Sequence, residues 1–132
     1  MTPESINQNL FPFGKLMGIE VTAVASDEVC AQMPVKAELC TSGELLHGGA
    51  IMAFADSLGA IATYVNLPEG AKGTTTIESK TNFFKGTPAG QTVYGTTTPL
   101  HRGRTTQVWQ TRITSAEDKL IALVTQTQMV LR

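Results

Sequence analysis

The stretch Gly48–Leu67, which reads GGAIMAFADSLGAIATYVNL, decides the fold. Its Ala, Met, Leu and Phe residues favour helix, and Pro68 followed by Gly70 predicts where that helix ends. Apolar residues cover nearly every side, so we expect other elements to surround the helix. At about 1.5 Å per residue the segment is roughly 30 Å long, enough to cross a membrane. The acid Asp56 near its middle and the strand-like sequence on both sides argue against a membrane span.

The sequence on both sides of this helix is typical of strands. Fifteen of the nineteen threonines follow Gly73, in runs where β-branched and aromatic residues dominate. Breaks between these runs predict four strands after the helix, at Thr74–Phe84, Thr92–Leu100, Thr105–Thr114 and Leu120–Leu131. Before the helix, the segments Gly18–Ala25 and Glu28–Val35 flank Ser26-Asp27 and predict a hairpin.

This order of elements predicts an α+β fold. A single helix cannot supply the crossovers that a parallel sheet needs, so we expect antiparallel strands. A twisted antiparallel sheet wrapped around one long central helix would cover the apolar sides of that helix, and this is the hotdog arrangement. Because 132 residues and 14.1 kDa suit one ordinary domain, we expect residues 1–132 to form a single domain.

The composition argues against several classes of protein. With 42% hydrophobic and 16% charged residues, the chain is expected to fold rather than stay disordered. A net charge of −1 gives no support for binding nucleic acid or an anionic membrane. Cys30 and Cys40 match no metal spacing and the two histidines are scattered, so we expect no metal and free thiols. The polar start Met1–Gln8 lacks the pattern of a secretory signal, and we expect a cytoplasmic protein.

The charges are unevenly distributed along the chain. Residues 70–116 carry six basic side chains and a single acid, Glu78, whereas residues 1–69 carry two basic and eight acidic ones. A solvated sheet face can explain this bias, and so can a site for an anionic ligand such as the phosphates of a nucleotide. The segment His101-Arg102-Gly103-Arg104-Thr105, which joins two predicted strands, has the guanidiniums and hydroxyls that bind phosphate. Basic turns are also common on solvated surfaces, so both interpretations stay open.

Two features of the long helix suggest chemistry. Leu46-His47-Gly48-Gly49 stands where the helix begins, and the first N–H groups of a helix have no partners inside it. In one interpretation, the glycines let a thioester carbonyl oxygen or its oxyanion approach that backbone. In the other, they only permit a tight turn, and His47 caps the helix. Asp56 is the one charged side chain of the segment. A carboxylate among apolar residues needs partners, which predicts either a structural hydrogen bond or a catalytic role facing a cleft.

Together these residues resemble a known family. The segment HGGAIMAFAD, with an acid nine positions after the histidine, is similar to the phenylacetate-pathway type of hotdog thioesterase, which includes 4-hydroxybenzoyl-CoA thioesterases of the HGG type. The resemblance covers roughly Phe13–Leu131 and extends to Thr74–Glu78, Asn82–Phe84 and the His101–Thr105 turn. It implies an enzyme that hydrolyses a small-molecule acyl-CoA thioester to the free acid and CoA, with no cofactor.

The resemblance also implies roles for individual residues. Asp56 would be the catalytic carboxylate, as a general base on water or as a nucleophile. Gly48 would supply the N–H that binds the oxyanion, and His47 would help to fix the thioester end. Thr76 matches a position whose hydroxyl orients water in some members. The CoA nucleotide would lie along Arg102, Gly103, Arg104 and Thr105. One position departs from the family: members often carry Asn or Gln six residues before the histidine, where this chain has Thr41, whose hydroxyl reaches less far.

Helix geometry predicts a homodimer. His47 and Asp56 are nine residues apart, which is about 13 Å along the axis and about half a turn around it. One chain therefore cannot bring Asp56 to the start of its own helix. Two helices packed antiparallel about a two-fold axis would place each Asp56 near the partner's Gly48. We expect a homodimer with two shared active sites, and the resemblance implies that two dimers form a tetramer.

Two other functions are compatible with such a fold. A non-catalytic acyl-CoA-binding protein would use the same CoA site, but binding alone has no need for the carboxylate of Asp56. A hotdog dehydratase or hydratase would carry its histidine and acid in a different arrangement, which this sequence lacks. The acyl group cannot be read from a sequence, because its pocket depends on packing. Residues that could either line that pocket or belong to the core are Phe11, Phe13, Met52, Phe54 and Phe83.

Overall fold

A computed structural model describes all residues from 1 to 132. The elements in chain order are α1 (Pro3–Gln8), α2 (Pro12–Met17), β1 (Glu20–Ala25), β2 (Glu28–Pro34), a 3-10 turn (Ala37–Leu39), α3 (Gly48–Val65), β3 (Gly73–Phe83), β4 (Thr92–Arg102), β5 (Thr106–Thr114) and β6 (Leu120–Leu131). This order confirms the predicted α+β class, with a hairpin, one long helix and four further strands.

All six strands form one antiparallel sheet in the order β1-β2-β4-β5-β6-β3. The hairpin that precedes α3 joins the strands that follow it, because β2 pairs with β4. The strand that leaves α3, β3, crosses to the far edge and pairs with β6. The two edges of the sheet are therefore β1 and β3, and the sheet packs around α3 in the hotdog arrangement that the sequence predicts.

One side of α3 forms the core with the sheet. Phe54 and Leu58 are fully buried (both 0% exposed), as is Trp109 of β5 (0%). The indole N–H of Trp109 donates to the hydroxyl of Thr63, 2.9 Å away, so the ring is fixed to the helix as well as packed on it. Several polar side chains share this buried face of the sheet: Thr97, Gln107, Thr111, Gln126 and Gln128.

The other side of α3 is not covered by its own chain. Met52 is 39% and Tyr64 55% exposed, and Asp56 on the same side is half-buried. The prediction that other elements surround the helix is therefore wrong for a single chain, since the sheet reaches only one side. By length and composition alone α3 is apolar enough to cross a membrane, but half of that segment is buried inside the fold.

The structure differs from the sequence prediction at several element boundaries. The two short helices α1 and α2 were not predicted, although each has a proline at its start, where the missing N–H costs nothing. The long helix ends at Val65, two residues before the predicted Leu67, because Asn66 caps it. The predicted break at His101–Arg104 is too long, since His101 and Arg102 pair with β5 and only Gly103–Thr105 turns.

Candidate active site

The first turn of α3 presents two hydrogen-bond donors. His47 caps the helix, and its Nδ1 accepts a hydrogen bond from the N–H of Gly49, 2.7 Å away. A neutral imidazole that accepts at Nδ1 carries its proton on Nε2, so this second nitrogen is a donor. The N–H of Gly48 has no acceptor in the protein. Both donors lie where the helix dipole favours negative charge, so His47 serves as a cap and the backbone beside it can still bind an oxyanion.

Gly48 also allows a close approach between α3 and the end of β3. A Cβ atom at this position would lie 3.2 Å from the ring of Phe83, so a larger residue would push the aromatic side chain away. The small size of Gly48 thus fixes the start of α3 against the edge strand. This contact explains why the position calls for glycine independently of any ligand.

The loop that carries Thr41 folds back toward this end of the helix. The N–H of Thr41 donates to the carbonyl of Leu45, at 2.8 Å, and the N–H of His47 donates to Leu39, at 2.9 Å. The hydroxyl of Thr41 accepts from the N–H of Gly43, at 3.2 Å, and its own proton has no acceptor in the protein. Thr41 is exposed, so it is a third donor at the same end of the helix as His47.

Asp56 lies halfway along α3 and is held by the edge strand. The hydroxyl of Thr76 donates to Oδ1 of Asp56 at 2.5 Å, whereas Oδ2 has no hydrogen-bond partner in the protein. Because a threonine has a single hydroxyl proton, Thr76 cannot donate it to a water molecule at the same time. The structure therefore places Thr76 as the partner of the carboxylate, which differs from the water-orienting role that the resemblance implies.

The sequence prediction did not include Gln128, which forms a hydrogen bond with Thr76. The side-chain amide of Gln128 on β6 donates to Oγ1 of Thr76, at 2.7 Å. Gln126, two residues earlier, points to the same buried face, and both side chains are 0% exposed. The sequence carries a signal for these glutamines in the run Val124–Val130. Every second residue of a strand faces the core and should be apolar, but two of the four core-facing positions in this run are glutamine.

The basic turn, Arg102–Thr105, is held in place by hydrogen bonds that involve backbone carbonyls. The N–H of Gly103 closes the turn on the carbonyl of Thr106, at 2.8 Å. The guanidinium of Arg102 donates to the carbonyl of Ser26 in the β1–β2 turn, at 2.9 Å. A third arginine, Arg132, donates to the carbonyl of Arg104, at 3.0 Å, and adds its charge to the turn. Arg132 was not among the predicted residues because it is far away in sequence.

This turn lies at the C-terminal end of α3. Asn66, which caps that end, donates to the same Ser26 carbonyl that Arg102 contacts. Gly48 is eighteen residues earlier in the helix, or about 27 Å away along its axis. Asp56 is about 12 Å from Gly48 on the same scale. One chain thus brings Asp56 and Thr76 together, groups Thr41 with the helix start, and keeps the basic turn at the opposite end.

An apolar cavity opens between the N-terminal segment, the second half of α3 and the start of β3. Its volume is about 640 Å³, and it borders Ala60, one helical turn after Asp56, and Thr74, two residues before Thr76. The rest of its lining comes from α1, from the segment that joins α1 to α2, from α3 and from the end of β6, and is mostly apolar: Ile6, Leu10, Phe11, Ile61, Tyr64 and Leu131. Its size suits a small organic group.

The five candidate acyl-pocket residues fall into different environments. Phe11 lines the large cavity, and Phe13 lines a smaller one of about 220 Å³ beside His47. Phe54 is a core residue, fully buried under the sheet. Met52 and Phe83 are 39% and 50% exposed, on the side of α3 and β3 that the chain leaves uncovered.

The Cys30 thiol is a poor candidate for a nucleophile. Both thiols are free and half-buried, as predicted. Burial raises the pKa of the Cys30 thiol above its ordinary value, and the nearby Glu28 carboxylate acts in the same direction. A thiol that stays protonated is a poor nucleophile, so Asp56 is the better candidate for the reacting group.

Comparison with known proteins decides the family. Residues 43–122, which include His47, Asp56, Thr76 and the basic turn, match the Thioesterase superfamily. The chain belongs to this superfamily. The thioesterase is 35% identical over 111 residues to the proofreading thioesterase EntH of Cronobacter turicensis, covering 83% of this chain and 80% of that protein. It is 33% identical over 110 residues to the 1,4-dihydroxy-2-naphthoyl-CoA hydrolase of Escherichia coli, covering 81% of this chain and 79% of that protein.

Solved structures agree with the sequence relatives. A thioesterase from Haemophilus influenzae superimposes on this chain with a TM-score of 0.93 at 31% identity, covering 100% of this chain and 92% of the other. The hotdog fold and the family resemblance are therefore confirmed, and so is the expectation that the protein is a thioester hydrolase. The roles of individual residues, including Asp56 and Gly48, stay predictions.

Proposed function

We propose that this thioesterase hydrolyses an acyl-CoA thioester and that Asp56 is its catalytic carboxylate. The observation that carries the proposal is the half-buried state of Asp56, with Oδ1 held by Thr76 and Oδ2 left without a partner in the protein. A carboxylate in this state is fixed in position and can still accept a proton. The Escherichia coli relative is named for hydrolysis of a CoA ester, which supports CoA as the thiol component.

The proposed reaction needs water, a carboxylate and donors for the oxyanion. Acting as a general base, Oδ2 of Asp56 accepts a proton while the water oxygen bonds to the thioester carbon. The carbonyl oxygen becomes an oxyanion, which the N–H of Gly48 and Nε2 of His47 stabilise. Collapse of this intermediate breaks the C–S bond, and the departing CoA thiolate takes the proton from Asp56. If Asp56 instead attacks the carbon itself, the same donors stabilise the oxyanion, and breaking the C–S bond leaves a mixed anhydride on Asp56 and a CoA thiolate. Water then hydrolyses the anhydride to the free acid and the Asp56 carboxylate, and the proton released passes to the thiolate.

We infer that the two halves of this site come from two chains. About 12 Å separates Gly48 from Asp56 within one helix, which is too far for both to contact one thioester group. An antiparallel arrangement of two α3 helices about a two-fold axis brings Asp56 of one chain to the partner's Gly48. The homodimer then has two equivalent sites, and the tetramer implied by the family resemblance would pair two such dimers.

The exposed surface supports this homodimer. β3 is an edge strand of eleven residues, and an unpaired strand of that length readily pairs with another chain. Ile77 (54% exposed) and Phe83 (50%) on β3 and Met52 and Tyr64 of α3 are large apolar side chains exposed to solvent. Burying this apolar surface against a second copy would stabilise both chains.

The remaining parts of the proposal concern the two ends of the substrate. We assign the acyl group to the 640 Å³ cavity beside Ala60 and the CoA phosphates to the basic turn at Arg102–Thr105. Free, half-buried thiols suit a reducing compartment, which is consistent with the expected cytoplasmic location.

The direct test is a thiol-release assay with aromatic and straight-chain acyl-CoA esters. We expect turnover by the natural protein, and we expect Asp56→Asn to lower kcat by at least about a hundredfold while the protein stays folded. The matched control is Glu117→Gln, which neutralises an exposed acid in the β5–β6 turn and should leave kcat unchanged. A folded Asp56→Asn protein with near-normal kcat would remove Asp56 from the mechanism. Tight binding of acyl-CoA without any turnover would favour the non-catalytic binding protein instead.

A further inference from the structure

A chain of buried hydrogen bonds leads from β6 to the carboxylate of Asp56. The side-chain amide of Gln128 uses both of its protons, donating to Oγ1 of Thr76 at 2.7 Å and to Oε1 of Gln126 at 2.9 Å. Gln126 in turn donates to the backbone carbonyl of Ala55, at 2.7 Å. Thr76 completes the chain by donating to Asp56. The two glutamines thus contact two consecutive residues of α3, one directly and one through a hydroxyl.

The direction of each hydrogen bond in this chain is fixed by its partners. The carbonyl of Ala55 can only accept, so Gln126 turns its nitrogen toward that carbonyl and its Oε1 toward Gln128. Gln128 must meet this oxygen with its amide nitrogen, and the same nitrogen faces Thr76. An amide nitrogen can only donate, and Oγ1 of Thr76 is therefore an acceptor on that side. The single proton of Thr76 is left to point at Asp56. Without Gln128 the hydroxyl would be free to rotate and donate elsewhere.

The helix makes room for this chain with a glycine. A Cβ atom on Gly59 would lie 1.9 Å from Nε2 of Gln126, so any other residue there would displace the amide. Gly59 follows Asp56 by three residues and lies one turn further along the helix. The sequence of α3 therefore provides both the carboxylate and the space for the side chain that helps to hold it.

We propose that Gln128 is a positioning residue of this thioesterase, which holds Asp56 in its reactive geometry by directing the hydroxyl of Thr76 toward it. The inference rests on the proposed function, since it gives a role to a group that supports Asp56. Gln128 touches neither the substrate nor the water. Burying two amides in a core is costly unless each polar atom is paired, and here every one of them is. The neighbouring Gln107, by contrast, has an unpaired Oε1 and no connection to Asp56.

The experiment is a double-mutant cycle on kcat and KM. Gln128→Met keeps the length of the side chain but cannot donate, and Thr76→Val keeps the shape but has no hydroxyl. We expect each to lower kcat about tenfold with little change in KM, since a displacement of about 1 Å in a catalytic group can cost up to a hundredfold. The double variant should have the kcat of Thr76→Val alone, because Gln128 acts through the hydroxyl. Thr76→Ser, which keeps the hydroxyl, should retain most of the activity.

Gln107→Met is the matched control. Gln107 lies directly opposite Gln128 on β5, is 1% exposed, and donates to the carbonyl of Asn66 at the end of α3. Its replacement should lower the melting temperature about as much as Gln128→Met but leave kcat unchanged. A purely structural role for Gln128 predicts that the two variants behave alike in kcat.

Several results would overturn the inference. Normal kcat in folded Gln128→Met contradicts it, and so do independent, multiplicative losses in the double variant. If the natural protein hydrolyses no thioester, the proposed function fails, and hydrogen exchange of the Gln128 side-chain amide then tests the chain of bonds separately. The amide protons should be protected in the natural protein and lose protection in Thr76→Val. Unchanged protection would refute the hydrogen-bonded chain, and this measurement also serves if Gln128→Met does not fold.

Discussion

Several polar residues of the candidate site have one atom held by the protein and another left without a partner. In His47 the held atom is Nδ1, in Asp56 it is Oδ1, and in Thr41 the hydroxyl oxygen accepts a bond while its proton is free. Holding one atom fixes the orientation of the group, and the second atom remains available for a substrate or water. Such preorganised groups contribute most to catalysis because they need no rearrangement during the reaction.

The basic turn provides a prediction at this scale. Replacing both Arg102 and Arg104 with Ala should raise KM roughly tenfold and leave kcat nearly unchanged, the pattern expected when an interaction binds substrate and transition state equally. The effect should shrink in added salt, because exposed charges are screened. Steady-state kinetics at low and high salt provide the measurement. Arg112→Ala, which removes an exposed arginine on the neighbouring strand β5, is the control. Equal KM values for the double variant and the natural protein would leave the turn as solvated surface.

At the scale of elements, the fold could be predicted well and the surroundings of Asp56 only in part. The apolar composition of Gly48–Leu67 and the threonine-rich runs predict α3 and the strands because those signals are local. The position of β3 at the edge beside β6 was not predicted, since strand order depends on pairing between distant segments. Gln128 was missed for the same reason: its partner Thr76 is 52 residues away in sequence. Helix α3 is also less covered than its composition suggests.

The contact between α3 and β6 provides a prediction about stability. Gly59→Ala should lower the free energy of unfolding by about 2 kcal/mol, although alanine is the better helix former by about 1 kcal/mol. The added methyl group would overpack the core and break the bond from Gln126 to the Ala55 carbonyl. Urea denaturation gives the measurement. Gly73→Ala, where a Cβ meets nothing within 4 Å, is the control.

A second cycle separates this contact from a general effect on the helix. In a Gln126→Ala background the clash is absent, so Gly59→Ala should no longer destabilise the protein. If Gly59→Ala destabilises both backgrounds equally, the cost does not come from Gln126, and the close contact between helix and strand is not what glycine is needed for.

At the scale of the whole molecule, the candidate site is divided along one helix. The donors at Gly48 and His47, the carboxylate of Asp56, and the basic turn lie at the start, the middle and the end of α3. The uncovered side of that helix and the long edge strand β3 are on the surface. The proposed homodimer would account for both facts, because a second copy would cover this surface and complete the site. The shared active site is the central claim about this thioesterase.

Subunit complementation tests that claim most directly. Gly48→Pro removes the proposed oxyanion donor at the first helical position, where proline is tolerated, and His47 before it already has the extended backbone that proline requires (φ −64°, ψ 137°). Because a Cβ at this position also meets the ring of Phe83, Gly48→Ala, which adds the Cβ but keeps the N–H, is the control and should stay active. Mixing inactive Asp56→Asn with inactive Gly48→Pro should restore activity. Each hybrid dimer would have one site with both defects and one intact site, so its rate should reach up to half that of the natural dimer. If mass spectrometry shows that the chains exchange and no activity returns, or if a monomer proves active, the shared site is contradicted.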